Sequence, residues 1–408
     1  MAIIEGTAER ALEQAPAGVR RGREAVGRGR TAVLSGLFVG GFATFLNLYA
    51  TQPLLPFFRR LFGASELKVS LTVSAPVLAV ALAAPFLGAA ADWLGRKRVI
   101  VAAIVCLAMA TLFSASSANL GQLIAWRFVQ GLFTPGIIAS VMAYVSEESP
   151  GNAVGRTMAL YVTGTVAGGF GGRLLAGLLT ARWGWRLCFI ALGSITLTGA
   201  LVTQWVLPRE KNFERGKKGS ISFRALGAHL KNPQLLATYA VGFNILFCMV
   251  ATFTYVNFYL AEKPFSLGPA QLGQVFIVYM VGGIVTLMAG RIMDRIGFRL
   301  ALLGAILVGA AGILLTLLHA LPAILAGLAL VATCVFICQA SASSNVGKAA
   351  KGARSSAAGL YVSIYYFGGF AGSIVPGFFW DKAGWPACVA VILCAQAITA
   401  FIAYRLWN

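Results

Sequence analysis

Arg127 and Arg173 lie inside long apolar runs, about eight and seven residues from one end of their respective runs. On helices rising about 1.5 Å per residue, both guanidiniums then sit roughly 10–12 Å below the same membrane face. An ionisable group at that depth is a candidate functional group by default, and two guanidiniums at one depth could hold an anion by charge-assisted hydrogen bonds. The competing assignment is structural. Helix ends, carbonyls, water or polar neighbours such as Asn47 and Gln130 would satisfy each arginine and brace the bundle.

The acids sharpen the question. Asp and Glu total 13, against 33 Lys and Arg, and none falls at mid-depth of an apolar run. Glu147 and Glu148 end one run, Asp92 and Asp294 follow two others, Glu262 and Asp381 lie at run ends on the opposite side, and the remainder are in connections or the N-terminal tail. A carboxylate that exchanges protons inside a cavity is therefore missing, and His229 and His319 are in connections. Any protein-side proton coupling falls to Glu147, Glu148 or Asp92; otherwise an anionic substrate carries the proton itself.

The elements that must position these groups are membrane helices. Of 408 residues, 58% are hydrophobic and 11% charged, whereas a soluble domain carries about a quarter charged residues. Twelve apolar segments, spans 1 to 12, run roughly over 32–55, 70–91, 99–117, 119–145, 155–180, 186–207, 235–261, 270–292, 299–318, 321–345, 354–379 and 384–404. They lack the ten-residue alternation of outer-membrane strands, so helices are expected. A tail (1–31), a first bundle (32–207), a basic linker (208–234) and a second bundle (235–408) follow from the spacing.

Charge sets the orientation. The net charge of +20 would suggest nucleic acid in a soluble chain, but 24 of the 33 basic residues collect on one side: six in the tail, then three, one, seven, three and three in alternate connections, and one at the C-terminus. Positive-inside bias places both termini in the cytoplasm and leaves nucleic-acid binding without a footprint. The tail has no signal-peptide core and can rest on anionic lipid of the bilayer. The seven cysteines lie in or beside spans with no metal-completing neighbours, so neither a disulfide framework nor a metal site is expected.

The chain repeats itself. Shifted by 200 residues, Leu160–Trp185 falls on Leu360–Trp385 with 10 of 26 positions identical, and Gly88–Gly95 matches Gly290–Gly297 at a shift of 202. Two six-helix bundles in the same orientation imply parallel repeats about an axis along the membrane normal, an arrangement suited to alternating access.

The stretch Phe86–Ile100 (FLGAAADWLGRKRVI) resembles the loop 2–3 signature of the major facilitator superfamily, with Gly88, Asp92, Gly95, Arg96 and Lys97 at matching places. The second copy keeps Gly290, Asp294 and Gly297, with Phe298 and Arg299 in place of the basic pair. Trp126–Gly131 (WRFVQG) is similar to the family's span 4 signature. Gly164–Leu174 (GTVAGGFGGRL) is similar to its antiporter signature, with Gly169 where that pattern has proline and the closing glycine pair, Gly171 and Gly172, one position early. Leu48–Pro56, Tyr144–Pro150 and Gly359–Gly369 look like the YnfM-type twelve-helix exporters of bacterial inner membranes. The resemblance implies an all-α membrane protein with twelve transmembrane helices in two pseudo-symmetric bundles, acting as a monomer. It also makes Gly164, Gly168, Gly172 and the loop 2–3 and 8–9 residues a conformational motif.

Helices 1, 4, 7 and 10, with parts of 2, 5, 8 and 11, line that family's central path. On them lie Arg127, Arg173, Asn47, Tyr49, Gln52, Gln130, Asn244, Tyr255, Asn257, Gln339, Ser343, Asn345, Tyr161, Tyr361, Tyr365 and Tyr366. Aromatic walls of this kind suit amphipathic or ring-containing small molecules. The expectation is a secondary transporter, not an enzyme and without a cofactor, that exports a small molecule from a bacterial cell across the inner membrane in exchange for protons. Uptake or exchange of an organic anion held by the arginines is the rival within transport, and a membrane enzyme or receptor is a rival outside it. No phosphate-binding loop supports ATP hydrolysis, and no catalytic constellation occurs within the spans.

Overall fold

Pro53 and Pro56 decide how the first span ends. Proline lacks an N–H and stops a helix that reaches it, so the helix Ala17–Leu48 terminates, a turn follows, and Gln52–Leu54 and Leu55–Phe62 form a short 3-10 turn and a separate helix. The last carbonyls of Ala17–Leu48 are left without intrahelical donors. This computed structural model describes residues 17–149, 154–210, 229–349 and 354–407, and their side chains except at 17–31, 88–92, 286–294, 348 and 354–356. Residues 1–16 of the tail and 211–228 of the linker lie outside the described residues.

Spans 2 to 7 are Glu66–Leu94, Arg96–Ser114, Leu120–Glu148, Val154–Trp183, Trp185–Val206 and Pro233–Ala261. Span 8 is built from Pro269–Val275 and Val278–Ile296, span 9 is Phe298–Leu315, and span 10 is Leu321–Ala349. The helix Arg354–Leu406 bends at Ala383 and Gly384 and so holds spans 11 and 12. Local chemistry starts several of them: Ser65, Asn119 and Asn232 accept from free N–H groups of spans 2, 4 and 7. Glycines at positive φ turn the chain between spans at equivalent places in both halves, Gly95 with Gly297 and Gly184 with Gly384. Among the described residues there is no strand, and the twelve expected spans are all helical.

Each half packs by the same device. Gly164, Gly168 and Gly172 of span 5 press on the backbone of span 1 at Phe38, Phe42 and Leu46, so closely that an added Cβ would overlap those carbonyls. In the second half Gly368 and Gly372 of span 11 do the same to Phe243 and Phe247 of span 7. Small residues let backbones approach where lipid offers no hydrophobic driving force between helices.

Between the halves, span 2 packs on span 11 and span 5 on span 8. The polar and ring contacts made there between described residues gather at the end of the bundle carrying residues 49–66 and 261–269, hereafter the joined end. At the opposite end the pairings between described residues stay within one half: Arg96 with Glu147, Tyr144 with Pro208, Asn232 with Ala349 and Tyr239 with Ala357.

Candidate functional site

Arg127, 0% exposed, reaches across from span 4 to the broken end of span 1. Its Nη1 and Nη2 donate to the Asn47 and Leu48 carbonyls at 2.8 and 2.6 Å, its Nε to the Thr72 carbonyl at 3.0 Å, and Nη1 also to Gln130 Oε1 at 2.5 Å. The Leu48 carbonyl is one that the end of the helix leaves without an intrahelical donor, while the Asn47 carbonyl also accepts from the Ala50 N–H at 3.2 Å. Gln130 Nε2 donates to Thr111 Oγ1 at 2.9 Å, and Asn47 Nδ2 donates to Thr196 Oγ1 at 2.7 Å. The network is buried and lies wholly inside the first half.

Arg173, 2% exposed, meets a different environment. Span 5 presents it to the turn after span 1 and to the junction of the two pieces of span 8. Its Nε donates to Gln52 Oε1 at 2.8 Å and its Nη1 to the Gly169 carbonyl at 2.6 Å. The guanidinium lies 4.8 Å from the Tyr49 ring centre, 4.9 Å from that of Phe276 and 4.8 Å from that of Tyr279. Its Nη2 and the Tyr279 hydroxyl have no partner. A buried donor left unmade is costly, and guanidinium charge over aromatic faces offsets only part of that cost. Tyr49 and Gln52 belong to the first half and Phe276 and Tyr279 to the second, so this cluster spans the boundary. Gln52 continues it by donating from Nε2 to Thr254 Oγ1 of span 7 at 3.4 Å.

The remaining candidates occupy three settings. Tyr361 donates to Gln339 Oε1 at 2.9 Å and stacks on Tyr365 at 5.9 Å, with Tyr366 edge-on to Tyr365 at 5.5 Å. Tyr161 is buried against Gly41 with its hydroxyl unpartnered. Tyr255 instead donates to the Ser373 carbonyl at 2.8 Å and packs near Trp380, while Asn257 and Ser343 bond to their own helices. Asn345 donates to Thr238 at 2.9 Å, and Asn244 is half-buried on span 7.

In the loop 2–3 motif, Arg96 forms a two-pronged pair with Glu147 at 2.7 and 3.2 Å, bracing spans 3 and 4. Lys97 donates its backbone N–H to Glu210 at 3.4 Å, and Gly95 faces that same carboxylate. Glu148 is half-buried. The surroundings of positions 88, 92, 290 and 294 lie outside the described residues. In the second copy Arg299 reaches the Tyr404 carbonyl and lies 5.0 Å from that ring.

Phe276, Tyr279 and Thr254 carry no sequence signal that separates them from ordinary apolar packing. Glu66 is the other unanticipated residue. It is 7% exposed, and its Oε1 accepts from Trp380 Nε1 at 3.1 Å and from Arg59 Nη2 at 3.0 Å. The sequence puts it in the connection before span 2, and its burial depends on span 11 arriving from the other half.

Twelve helices in two repeated bundles, with a polar and aromatic cluster between them, define a secondary transporter fold. Residues 37–373 and 260–407 match the family model of the Major Facilitator Superfamily, and the chain belongs to that family. It is 31% identical over 374 residues to the inner membrane transport protein YnfM of Escherichia coli K12, covering 91% of this chain and 89% of that one. It is 28% identical over 282 residues to the multidrug resistance protein MdtG of Citrobacter koseri, covering 66% and 68%. In fold it is similar to a bacterial homologue of the human lysosomal transporter Spinster, crystallised in an inward-facing and occupied conformation, with TM-score 0.75, 15% identity and coverage of 93% and 97%. The protein is accordingly a multi-pass membrane transporter of small molecules and not an enzyme.

Proposed function

We propose that the chain exports a small organic molecule across a bacterial inner membrane by alternating access, in exchange for protons, and that Arg173 contacts the substrate. The observation that carries this reading is the unpartnered Nη2 of Arg173, buried at the boundary between the halves. A substrate offering a carboxylate, phenolate or carbonyl would give that donor, and the Tyr279 hydroxyl, the acceptor each lacks. The rings of Tyr49, Phe276 and Tyr279 suit an aromatic body on such a molecule. All three nitrogens of Arg127 already donate within the first half, so within this reading it holds the scaffold.

The mechanism follows from where the halves touch. Positive-inside bias puts both termini in the cytoplasm and turns the joined end outward. Substrate entering from the cytoplasm meets the tyrosine wall first and Arg173 beyond it. Parting spans 5 and 8 at Gly177, Pro269 and Gly273 would take Phe276 and Tyr279 off Arg173 and open the path outward. Arg96 with Glu147, beside Gly95 and Lys97 in the chain, braces the inner end of the first bundle, with Glu147, Glu148 and Asp92 as inner-side proton carriers. Export is supported by similarity to a relative named for multidrug resistance.

Uptake or exchange of an organic anion is the second reading, and the same unpartnered donors favour its substrate class. Proteoliposomes with an imposed pH gradient, offered benzoate, ethidium and a neutral sugar in turn, separate the two. Counter-movement of protons with the solute supports proton-coupled export. Anion movement in the same direction as protons, or with no proton movement, overturns it in favour of the second reading. Movement of ethidium alone, unaffected by Arg173→Gln, removes Arg173 from the substrate path.

A further inference from the structure

Span 8 breaks between Val275 and Val278, although no proline or glycine lies from Gln274 to Met280 to break it. Its counterpart in the first half runs on. At the 202-residue shift Val278 falls opposite Pro76, yet span 2 is continuous through that proline. The Thr72 carbonyl, deprived of its donor four residues on, receives Arg127 Nε at 3.0 Å and Thr51 Oγ1 at 3.3 Å instead. Opposite Thr72 lies Gln274, whose carbonyl accepts from the Ile277 N–H only three residues on, at 3.0 Å. The Tyr279 and Met280 N–H groups likewise reach back three residues, to the Phe276 and Ile277 carbonyls at 3.0 and 2.9 Å. The break is a tight turn whose cause is tertiary.

In a three-residue turn the side chains at i and i+3 eclipse, which brings the Phe276 and Tyr279 rings to 5.9 Å between centres. Both then lie on one guanidinium, 4.9 and 4.8 Å from Arg173 of the opposite half. Just before the break, Gly273 lies against the backbone of span 5, where an added Cβ would overlap the Arg173 carbonyl at 2.8 Å and press on the Cα atoms of Leu174 and Gly177 at 3.3 Å. Gly177 in turn faces the Pro269 carbonyl with no room for a Cβ. The seam between spans 5 and 8 therefore accepts glycine at both places and nothing larger.

We propose that Arg173 is a positioning residue for the joined end: by clasping Phe276 and Tyr279 it holds span 8 in its broken form, and that form keeps Gly273 in the seam. Without the clasp, residues 276–280 return to four-residue bonding, which turns about 20° less per residue than a three-residue turn. Over the three bonds from Ile277, Tyr279 and Met280 the outer piece Pro269–Val275 then rotates by about 60° against the rest of span 8. Gly273 leaves the seam and a neighbouring side chain swings toward it, where no Cβ fits, so spans 5 and 8 part. The inference goes beyond the proposed substrate contact, since it requires no ligand. A substrate acceptor sharing the Arg173 charge, as in that reading, would weaken the clasp and so be coupled to outward opening.

The test is a distance across the joined end in the full chain. Spin labels at Arg182→Cys, at the end of span 5, and Lys263→Cys, before span 8, are both exposed and on opposite halves. They would be read in nanodiscs with Cys106 and Cys394 changed to Ser, without substrate or gradient. Arg173→Gln removes two ring contacts with the cation, and the ratio of long to short distances should rise about tenfold. Val278→Pro places proline at the first position of the second piece, where its missing N–H is not used, and blocks a return to four-residue bonding with Gln274. Added to Arg173→Gln, it should bring the short distance back. An unchanged distribution in Arg173→Gln, or a rise that survives Val278→Pro, overturns the inference. Should either variant fail to fold, Phe276→Leu decides: a rise in the long distance supports the clasp and an unchanged distribution refutes it. Because no substrate is present, failure here leaves the substrate contact standing, and failure of that contact leaves the hinge standing.

Discussion

Arg127 and Arg173 begin as equals: same charge, same expected depth, both nearly or wholly buried, both in the first half. Their surroundings differ in kind. Arg127 fills the gap that two prolines open at the end of span 1, and each of its terminal nitrogens donates to a backbone carbonyl. Arg173 has one carbonyl, one amide oxygen, three rings and a nitrogen without a partner, and two of those rings come from the opposite half. Burial of a charge marks a place worth inspecting. What separates a brace from a contact site is whether donors remain unsatisfied and whether the neighbours stay in place when the halves move.

The largest expected effect on stability tests the brace. Arg127→Met removes the guanidinium donor from the Leu48 carbonyl and one of the donors from each of the Asn47 and Thr72 carbonyls, and should cost about 3 kcal/mol or more, read as a lowered thermal unfolding midpoint in detergent. A midpoint near that of the unchanged chain would mean that water replaces the arginine, and the contrast between the two sites would collapse.

A smaller loss tests whether the halves are equivalent in packing. Gly172→Val and Gly372→Val each push a side chain into a backbone carbonyl of the neighbouring helix, and each should cost about 1–3 kcal/mol. Similar losses in both halves are expected from the repeated geometry. Loss in only one would show that the repeat is kept in sequence but not in load.

The smallest effect concerns the edge of the Arg173 cluster. The bond from Gln52 to Thr254 is long at 3.4 Å, so Thr254→Val should change stability by less than about 0.5 kcal/mol and slow transport by less than about threefold. A larger slowing would make Thr254 a substrate contact and extend the site into span 7.

Much of this organisation is legible in the amino-acid order. Apolar run length marks the spans, the 200-residue repeat pairs Gly168 with Gly368 and Gly172 with Gly372, and the depth of the two arginines follows from counting along their helices. The packing role of those glycines is also legible, since small residues at four-residue spacing line one helix face. Other features depend on contacts between distant segments. Phe276 and Tyr279 become partners of Arg173 only because span 8 breaks between Val275 and Val278 and lies against span 5. Glu66 becomes buried only when Trp380, 314 residues away, closes over it. The break of span 1 is intermediate: Pro53 and Pro56 announce it, but that Arg127 would claim the freed carbonyls depends on span 4 lying alongside.

The central claim is that Arg173 serves transport and Arg127 serves the fold. It is tested most directly by the initial transport rate per folded molecule of Arg173→Gln in proteoliposomes, for whichever compound of the panel moves, with the unfolding midpoint measured on the same preparation. The lost ring contacts are offset by removal of a half-paired buried charge, so stability should change by less than about 2 kcal/mol. The rate should fall at least about tenfold. A collapsed midpoint with an unchanged rate per folded molecule would contradict the account and make Arg173 a second brace.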